Sequence, residues 1–377
     1  MLVHIIGKFK LFIKKDYTMI DKISLKYTLV SICIPTYNNA RFLRESLDSI
    51  VNQTYSNKEI IVSDNASTDE TKKIVKEYVE KYKIKYYRNE KNIGGEANFT
   101  RCIELANGEL IAIYHSDDIY DKEIITRQVE YLNGHLNSGA VSTLAYDIDE
   151  EGEVFNCRDI PSEINKGNNC EYNFEEIFKA VMKYGNFLVC PSFMVRANIY
   201  KTEIKKYRYD MFKTSSDLDV WFRILRKYNI GILPYNLMSY RHSKTQGSYQ
   251  NRNRVNEFSD FFLVMEYYIS KGWVIKKIHN INMYMEYYNF LKRRNELGRA
   301  IFILTKGNSQ NIYNLTYKFF NIKILKIALT SFDRFKVFVF GILLCILSKI
   351  GLSKTLGMFL YKLYSKLRRL KFSMLIT

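Results

Sequence analysis

Two neighbouring carboxylates, Asp117 and Asp118, follow the apolar run Leu110-Ile111-Ala112-Ile113-Tyr114. A run of that length predicts a buried strand, and in open α/β sheets ligands bind beyond the carboxyl ends of the strands. Adjacent acids repel one another unless a positive charge sits between them, which points to a divalent cation, Mn²⁺ or Mg²⁺, with oxygen ligands. A solvated turn, where Asp is common, is the simpler alternative. A second acidic pair, Asp217 and Asp219, heads a helical pattern that continues with Val220, Trp221, Ile224 and Leu225. Two residues apart on a helix is about 200° around the axis, so the two acids cannot face one ligand. A carboxylate separate from a metal-holding pair could serve as a general base; the alternative role is a helix N-terminal acid favoured by the dipole.

The elements that must position these groups are legible as alternating strands and helices. Leu29 to Ile34 forms a strand broken by Pro35-Thr36-Tyr37-Asn38-Asn39. A helix follows, with Asn38 or Asn39 as N-cap and Phe42, Leu43, Leu47, Ile50 and Val51 at helical spacing. Glu59 to Asp64 is a strand ending in an acid. Ser67-Thr68-Asp69-Glu70 then reads as a capping box opening a helix with Ile74, Val75, Tyr78, Val79 and Tyr82 on its apolar face. Lys85-Tyr86-Tyr87 predicts a short strand, and the turn from Asn92 to Asn98 leads through another helix to the strand before Asp117. Short connections between alternating elements predict a parallel sheet with right-handed crossovers. Three strands would then end in polar residues suited to one nucleotide: at Thr36-Tyr37-Asn38, at Ser63-Asp64-Asn65 and at Ser116-Asp117-Asp118.

The runs VSICIPTYNNARFLRESLDSIVNQTY, EIIVSDNASTDET and NEKNIGGEANFTRCIELANGELIAIYHSDDIYDKE resemble glycosyltransferase family 2 in order and spacing, over roughly residues 28 to 245. That resemblance implies an α/β, Rossmann-like nucleotide-diphospho-sugar transferase (GT-A) fold with a mostly parallel central sheet, and an inverting mechanism. It places Pro35, Thr36 and Tyr37 in the base pocket, with the Tyr37 ring against a pyrimidine. It makes Asp64 the acceptor of the base N3–H, so that the donor is a UDP- or dTDP-sugar. Asn92 and Gly94 fall in the segment approaching ribose and phosphates. Asp117 and Asp118 match the metal motif, and Asp117 also faces the nucleotide-sugar. Asp217 takes the place of the catalytic base. Cys190-Pro191-Ser192 resembles a segment flanking the acceptor cleft. Tyr240-Arg241-His242, with Gln246-Gly247-Ser248, resembles a closing loop that would fold Arg241 or His242 over the diphosphate.

The chain departs from the family pattern in several places. His115 stands where the metal motif commonly has its first acid; it could ligate, hydrogen-bond a phosphate or pack, and it suits Mn²⁺ better than Mg²⁺. Ser216 replaces the usual Glu before the base, Ser63 replaces one acid of a frequent pair, and His242 comes one residue early.

The net charge of +18 is uneven. Residues 28–240 carry 27 Lys/Arg against 31 Asp/Glu, whereas residues 1–27 have 6 against 2 and residues 241–377 have 24 against 6. The basic C-terminal flank interleaves its cations with dense apolar residues from Phe332 to Leu367. Its longest uncharged run, residues 337–348, is shorter than the roughly 20 residues a span needs. That texture predicts amphipathic helices lying on an anionic membrane and not nucleic-acid binding. The expected organisation is a basic extension over 1–27, a transferase domain over 28–245, a helical region over 246–330 and membrane-associating helices over 331–377. Phe258, Phe261, Phe262, Met265 and Tyr268 read as core stripes. Asp149 to Glu153 reads as an exposed hairpin tip. Six cysteines without metal or disulfide spacing suit the cytoplasm, and with the basic flank this predicts an enzyme on the inner face of the cell membrane; the resemblance implies a glycan or lipid-linked acceptor. Two rivals stay open: a nucleotidyltransferase, which should carry a Gly-rich phosphate loop, and a non-catalytic scaffold of a glycan assembly complex. A GxGxxG dinucleotide fingerprint is absent, which argues against a Rossmann oxidoreductase.

Overall fold

The computed structural model describes residues 28–165, 167, 170–243, 259–305 and 311–352, together with 356, 359 and 362. The basic stretch 1–27, Gln246-Gly247-Ser248 and most of the tail past 352 lie outside the described residues.

Ten strands form one mixed sheet. Its first half is parallel, in the order β3-β2-β1-β4: β1 (Val30–Thr36), β2 (Lys58–Asp64), β3 (Ile84–Arg88) and β4 (Leu110–Ile113). Helices α1 (Ala40–Val51), α2 (Thr71–Lys81) and α3 (Gly95–Leu105) make the crossovers. Because side chains alternate along a strand, β1 feeds two cores. Ile32 and Ile34 pack with Leu43 and Leu47 of α1 on one face, and Cys33 packs with Cys102 and Ile103 of α3 on the other. β1 is entirely buried, as a strand covered on both faces must be.

The second half of the sheet mixes directions. It contains β5 (Ile119–Tyr120), β6 (Ser138–Ile148), β7 (Val154–Cys157), β8 (Glu171–Tyr172), β9 (Met194–Arg196) and β10 (Asn229–Arg241). β9 runs antiparallel to both β4 and β6, and β10 runs parallel to β6 with bulges. Three further helices cover these strands: α4 (Ile124–Gly134), α5 (Phe174–Tyr184) and α6 (Ser216–Leu225). The predicted tip at 149–153 is the β6–β7 turn, but it folds back on the site: Arg41 pairs with Glu150 at 2.5 Å.

Beyond the sheet, α7 (Asp260–Ile269) and α8 (Gly272–Lys277) bury Phe261, Phe262, Met265 and Tyr268 in the same core as α5 and α6. The later half of α9 (Ile281–Thr305) joins α10 (Ile312–Thr316), α11 (Ile322–Ala328) and α12 (Phe332–Lys349) around a separate apolar cluster.

One local expectation differs. Residues 67–70 do not form a capping box, because helix α2 begins only at Thr71. Their side chains are spent across loops instead: Ser67 Oγ accepts from Asn38 N at 2.9 Å, and Asp69 accepts from Ala40 N at 3.0 Å. Among the described residues a capping box stands at Asn173 and Glu176, opening α5.

Candidate active site

The loops after β1, β2, β3 and β4 meet at the carboxyl end of the sheet, where chain order reverses around β1. Polar side chains sew them together. Asn39 Nδ2 donates to Ser116 Oγ at 2.8 Å, tying the first loop to the one bearing the acids. Asn65 Nδ2 donates to Asn92 Oδ1 at 2.8 Å, while Asn65 Oδ1 accepts from Asn89 Nδ2 and from Ile93 N. Asn92 therefore shapes its own loop, also accepting from Gly94 N at 2.8 Å. Gly94 sits at φ +92°, a conformation that side-chain-bearing residues rarely adopt.

Pro35 and Thr36 lie within β1 and are buried, and the Thr36 hydroxyl is buried without a hydrogen-bond partner. Of the three predicted base-pocket residues, Tyr37 alone presents a large open surface, 47% exposed. Asp64 ends β2 fully buried. Its carboxylate accepts from Ser67 N at 2.9 Å and from the Tyr86 hydroxyl at 2.7 Å, and it pairs with Arg88 at 3.2 Å. Tyr86 and Arg88 were missed by sequence reasoning. Their two-residue spacing on a strand neighbouring β2 was the available signal, since it puts both on one face.

The acidic motif is a built cluster. Tyr114 and Tyr120 stack at 3.9 Å around the turn, and the backbone N–H of His115 donates to the Tyr120 hydroxyl at 2.7 Å. β5 then pairs with β10, bringing Asp118 against Arg241, whose N–H donates to Asp118 Oδ1 at 2.8 Å. Ligand atoms of His115, Asp117 and Asp118 all lie within 4.8 Å of one another. Asp118 Oδ2 and His115 Nε2 are buried with no hydrogen-bond partner. Burial, then the charge of Asp117, pushes the Asp118 carboxyl well above its usual range, although the Arg241 N–H opposes this. Burial pushes His115 down, with Asp117 opposing, which favours the neutral imidazole that can ligate a metal. Orphaned buried acceptors and crowded acids are the environment a divalent cation relieves, so the donor set fits one.

Arg241 and His242 differ from the closing-loop expectation. Arg241 ends strand β10 and is 1% exposed. Its guanidinium donates to the carbonyl oxygens of Asp117, Asp149 and Glu150 and pairs with Glu45, while stacking on Phe42. A guanidinium so engaged braces the acidic turn. The physical reason is that β6 and β5 offer β10 backbone partners as far as Arg241, so the chain stays extended there. His242 Nε2 lies 2.8 Å from Asp147 Oδ1. Burial alone would raise Asp147, but the His242 hydrogen bond and Arg158 outweigh it and hold the carboxyl at about 2. Arg241→Lys keeps the charge but loses the planar fork that reaches several acceptors. That substitution is expected to weaken Mn²⁺ affinity by roughly 10-fold or more, as loss of a group orienting metal ligands does. Titration calorimetry on the folded variant would check it; unchanged affinity would count against the bracing role.

The acids of α6 divide as helical geometry requires. Asp219 is fully buried in an ion pair with Arg223 at 2.9 Å and accepts from the Tyr268 hydroxyl at 2.9 Å. Asp217 points elsewhere. Its Oδ1 accepts from Leu218 N at 2.8 Å, and burial lifts its carboxyl to about 6 against that bond and one from Cys190. Cys190, just before Pro191, lies in the field of the whole site: burial pushes its thiol up, and Asp217, Asp118 and Glu96 push it further. Glu96, at the start of α3, is raised by burial and then by the charges of Asp217 and Asp260, which puts its carboxyl in the field of Asp217. Sequence reasoning missed Glu96, since an acid in a first helical turn is ordinary.

Comparison with known proteins gives the family and the fold. The model of "Glycosyl transferase family 2" matches residues 31–202. An uncharacterised glycosyltransferase of Methanocaldococcus jannaschii is 31% identical over 248 residues, which is 64% of this chain and 80% of that protein. Among solved structures, S. aureus TarS 1–349 in complex with UDP-GlcNAc superposes with a TM-score of 0.55 at 17% identity, covering 89% of this chain and 91% of TarS. The mannosyltransferase PcManGT from Pyrobaculum calidifontis, in complex with GDP-Man and Mn²⁺, gives 0.52 at 17% identity, over 90% of this chain and 86% of that one. With its GT-A fold, its nucleotide-sugar motifs and these relatives, the chain belongs to glycosyltransferase family 2.

Proposed function

We propose that the protein is an inverting transferase that moves a sugar from a UDP- or dTDP-sugar to a hydroxyl of a cell-surface glycan or lipid-linked oligosaccharide. The observation that carries this is the separation of duties among the acids. Asp117 and Asp118, with His115, form a donor set for a cation, while Asp217 stands apart on α6 with its carboxyl lifted to about 6. A divalent ion there would neutralise charge growing on the leaving diphosphate. Asp217 would take the proton of the acceptor hydroxyl as its oxygen bonds to the anomeric carbon. The bond from that carbon to the diphosphate breaks on the opposite face, and its electron pair leaves with the nucleoside diphosphate.

Asp64 is the residue that would read the base, taking one N–H as uracil or thymine offers at N3, where guanine presents two donors. Its carboxylate is fully buried against Ser67, Tyr86 and Arg88, so the base would have to displace Tyr86 or Arg88 to reach it. Tyr37 supplies an exposed ring for the base to stack on.

Turnover of UDP- and dTDP-sugars with Mn²⁺ or Mg²⁺ tests the reading. Nucleoside diphosphate is the expected product; pyrophosphate would favour the nucleotidyltransferase rival, and no turnover with any donor the scaffold. The base reading also fixes a pH dependence. A carboxyl at about 6 accepts a proton only when ionised, so kcat/KM is expected to fall tenfold per pH unit below about 6 and to level off above. A flat profile between pH 5 and 7 would remove Asp217 from that role.

A further inference from the structure

Helix α12 is apolar on two opposite sides. Val337, Phe340, Gly341, Leu344 and Cys345 are buried against the helical cluster. Gly341 makes that approach possible, since a Cβ there would stand 2.6 Å from the Phe319 ring. On the other side Phe332, Phe335, Val339, Leu343, Ile346 and Ile350 are 37–73% exposed. Their spacings of three and four residues make one stripe along the whole helix, about 27 Å. Single exposed apolar residues need no explanation, but an unbroken stripe does.

Its surroundings say what covers it. Lys336 and Lys349 flank the stripe on either side by helical position, and residues 311–377 carry twelve Lys/Arg against a single acid, Asp333. A second copy seated on this face would bring that positive charge against itself. No described helix is long and apolar enough to cross a membrane, and α12 itself holds Asp333, Arg334, Lys336 and Lys349 within its 18 residues. We propose that the outer stripe of α12 beds into the headgroup boundary of an anionic bilayer, with Lys336 and Lys349 on lipid phosphates. This rests on the transferase reading and deepens it, because an enzyme attached to a bilayer would meet a lipid-linked acceptor there.

The test is co-sedimentation of the full chain with phosphatidylcholine vesicles, with and without about a third phosphatidylglycerol. Binding is expected on the anionic vesicles and to be at least about tenfold weaker on neutral ones. The double variant Leu343→Glu, Ile346→Glu should lose at least about tenfold in binding while circular dichroism and soluble donor hydrolysis stay unchanged, because both side chains face outward. Lys336→Glu with Lys349→Glu should weaken anionic binding selectively. No vesicle binding, equal binding to both vesicle types, or a self-association that the Leu343/Ile346 variant dissolves would overturn the proposal. Vesicle binding by the unaltered chain with no hydrolysis of any nucleotide-sugar would instead count against the transferase reading alone.

Discussion

Asp217→Asn is expected to lower sugar-transfer turnover by at least ~100-fold, since a positioned general base contributes typically 10²–10⁴-fold. The substitution is nearly isosteric. The amide oxygen can still accept from Leu218 N and from the Cys190 thiol, so the start of α6 should hold. Removing a buried carboxyl whose ionisation burial opposes should not cost stability either. UDP affinity should stay within about twofold, because Tyr37, Asp64 and the metal cluster are elsewhere. A loss in kcat without a loss in binding marks a group acting in the transition state. Asp219→Asn is the contrasting control. It leaves Arg223 and Arg208 facing a weakened partner in the core, so its effect should be a lowered Tm. Full activity in Asp217→Asn would remove Asp217 as the base and move that role to Glu96.

The second large effect is expected at Asp118. Asp118→Asn removes the buried oxygen that has no protein partner, Oδ2, as an anionic ligand, and leaves an amide beside His115. Turnover should drop ~100-fold or more through lost stabilisation of the departing diphosphate, and Mn²⁺ affinity should drop with it. Stability of the metal-free protein should hold or rise, because Asp118 is ionised there only against burial and against Asp117. Opposite signs for folding and catalysis separate a functional site from a structural one. If Asp118→Asn destabilised the fold and left activity intact, the cluster would be a buried turn and no more.

The parallel half of the sheet was legible because β1, β2 and β4 are local apolar runs ending in polar residues, and helical patterns connect its strands. Asp64, Asp117 and Asp217 were readable for the same reason: each lies at the end or start of such an element. Arg241 was not. Nothing local in Tyr240-Arg241-His242 says strand; the extended backbone is imposed by β6 and β5, from 93 to 120 residues earlier in the chain. Residues 67–70 carry the right types for a helix cap, yet the backbone of the turn after β1 competes for the same oxygens and takes them. Arg88 and Glu96 are common residues in common places, and only the closing of the sheet around β1 brings them to the site. At α12 the apolar content was plain in sequence. Which half faces the protein depended on where Phe319 and α11 pack.

The most direct test of the whole account is the position of manganese in crystals of the protein grown with Mn²⁺ and UDP, read from anomalous scattering. The account predicts one ion in direct contact with Asp118 Oδ2 and with a ligand atom of Asp117, and the diphosphate of UDP on its open side. Manganese and nucleotide bound away from residues 115–118 would contradict it.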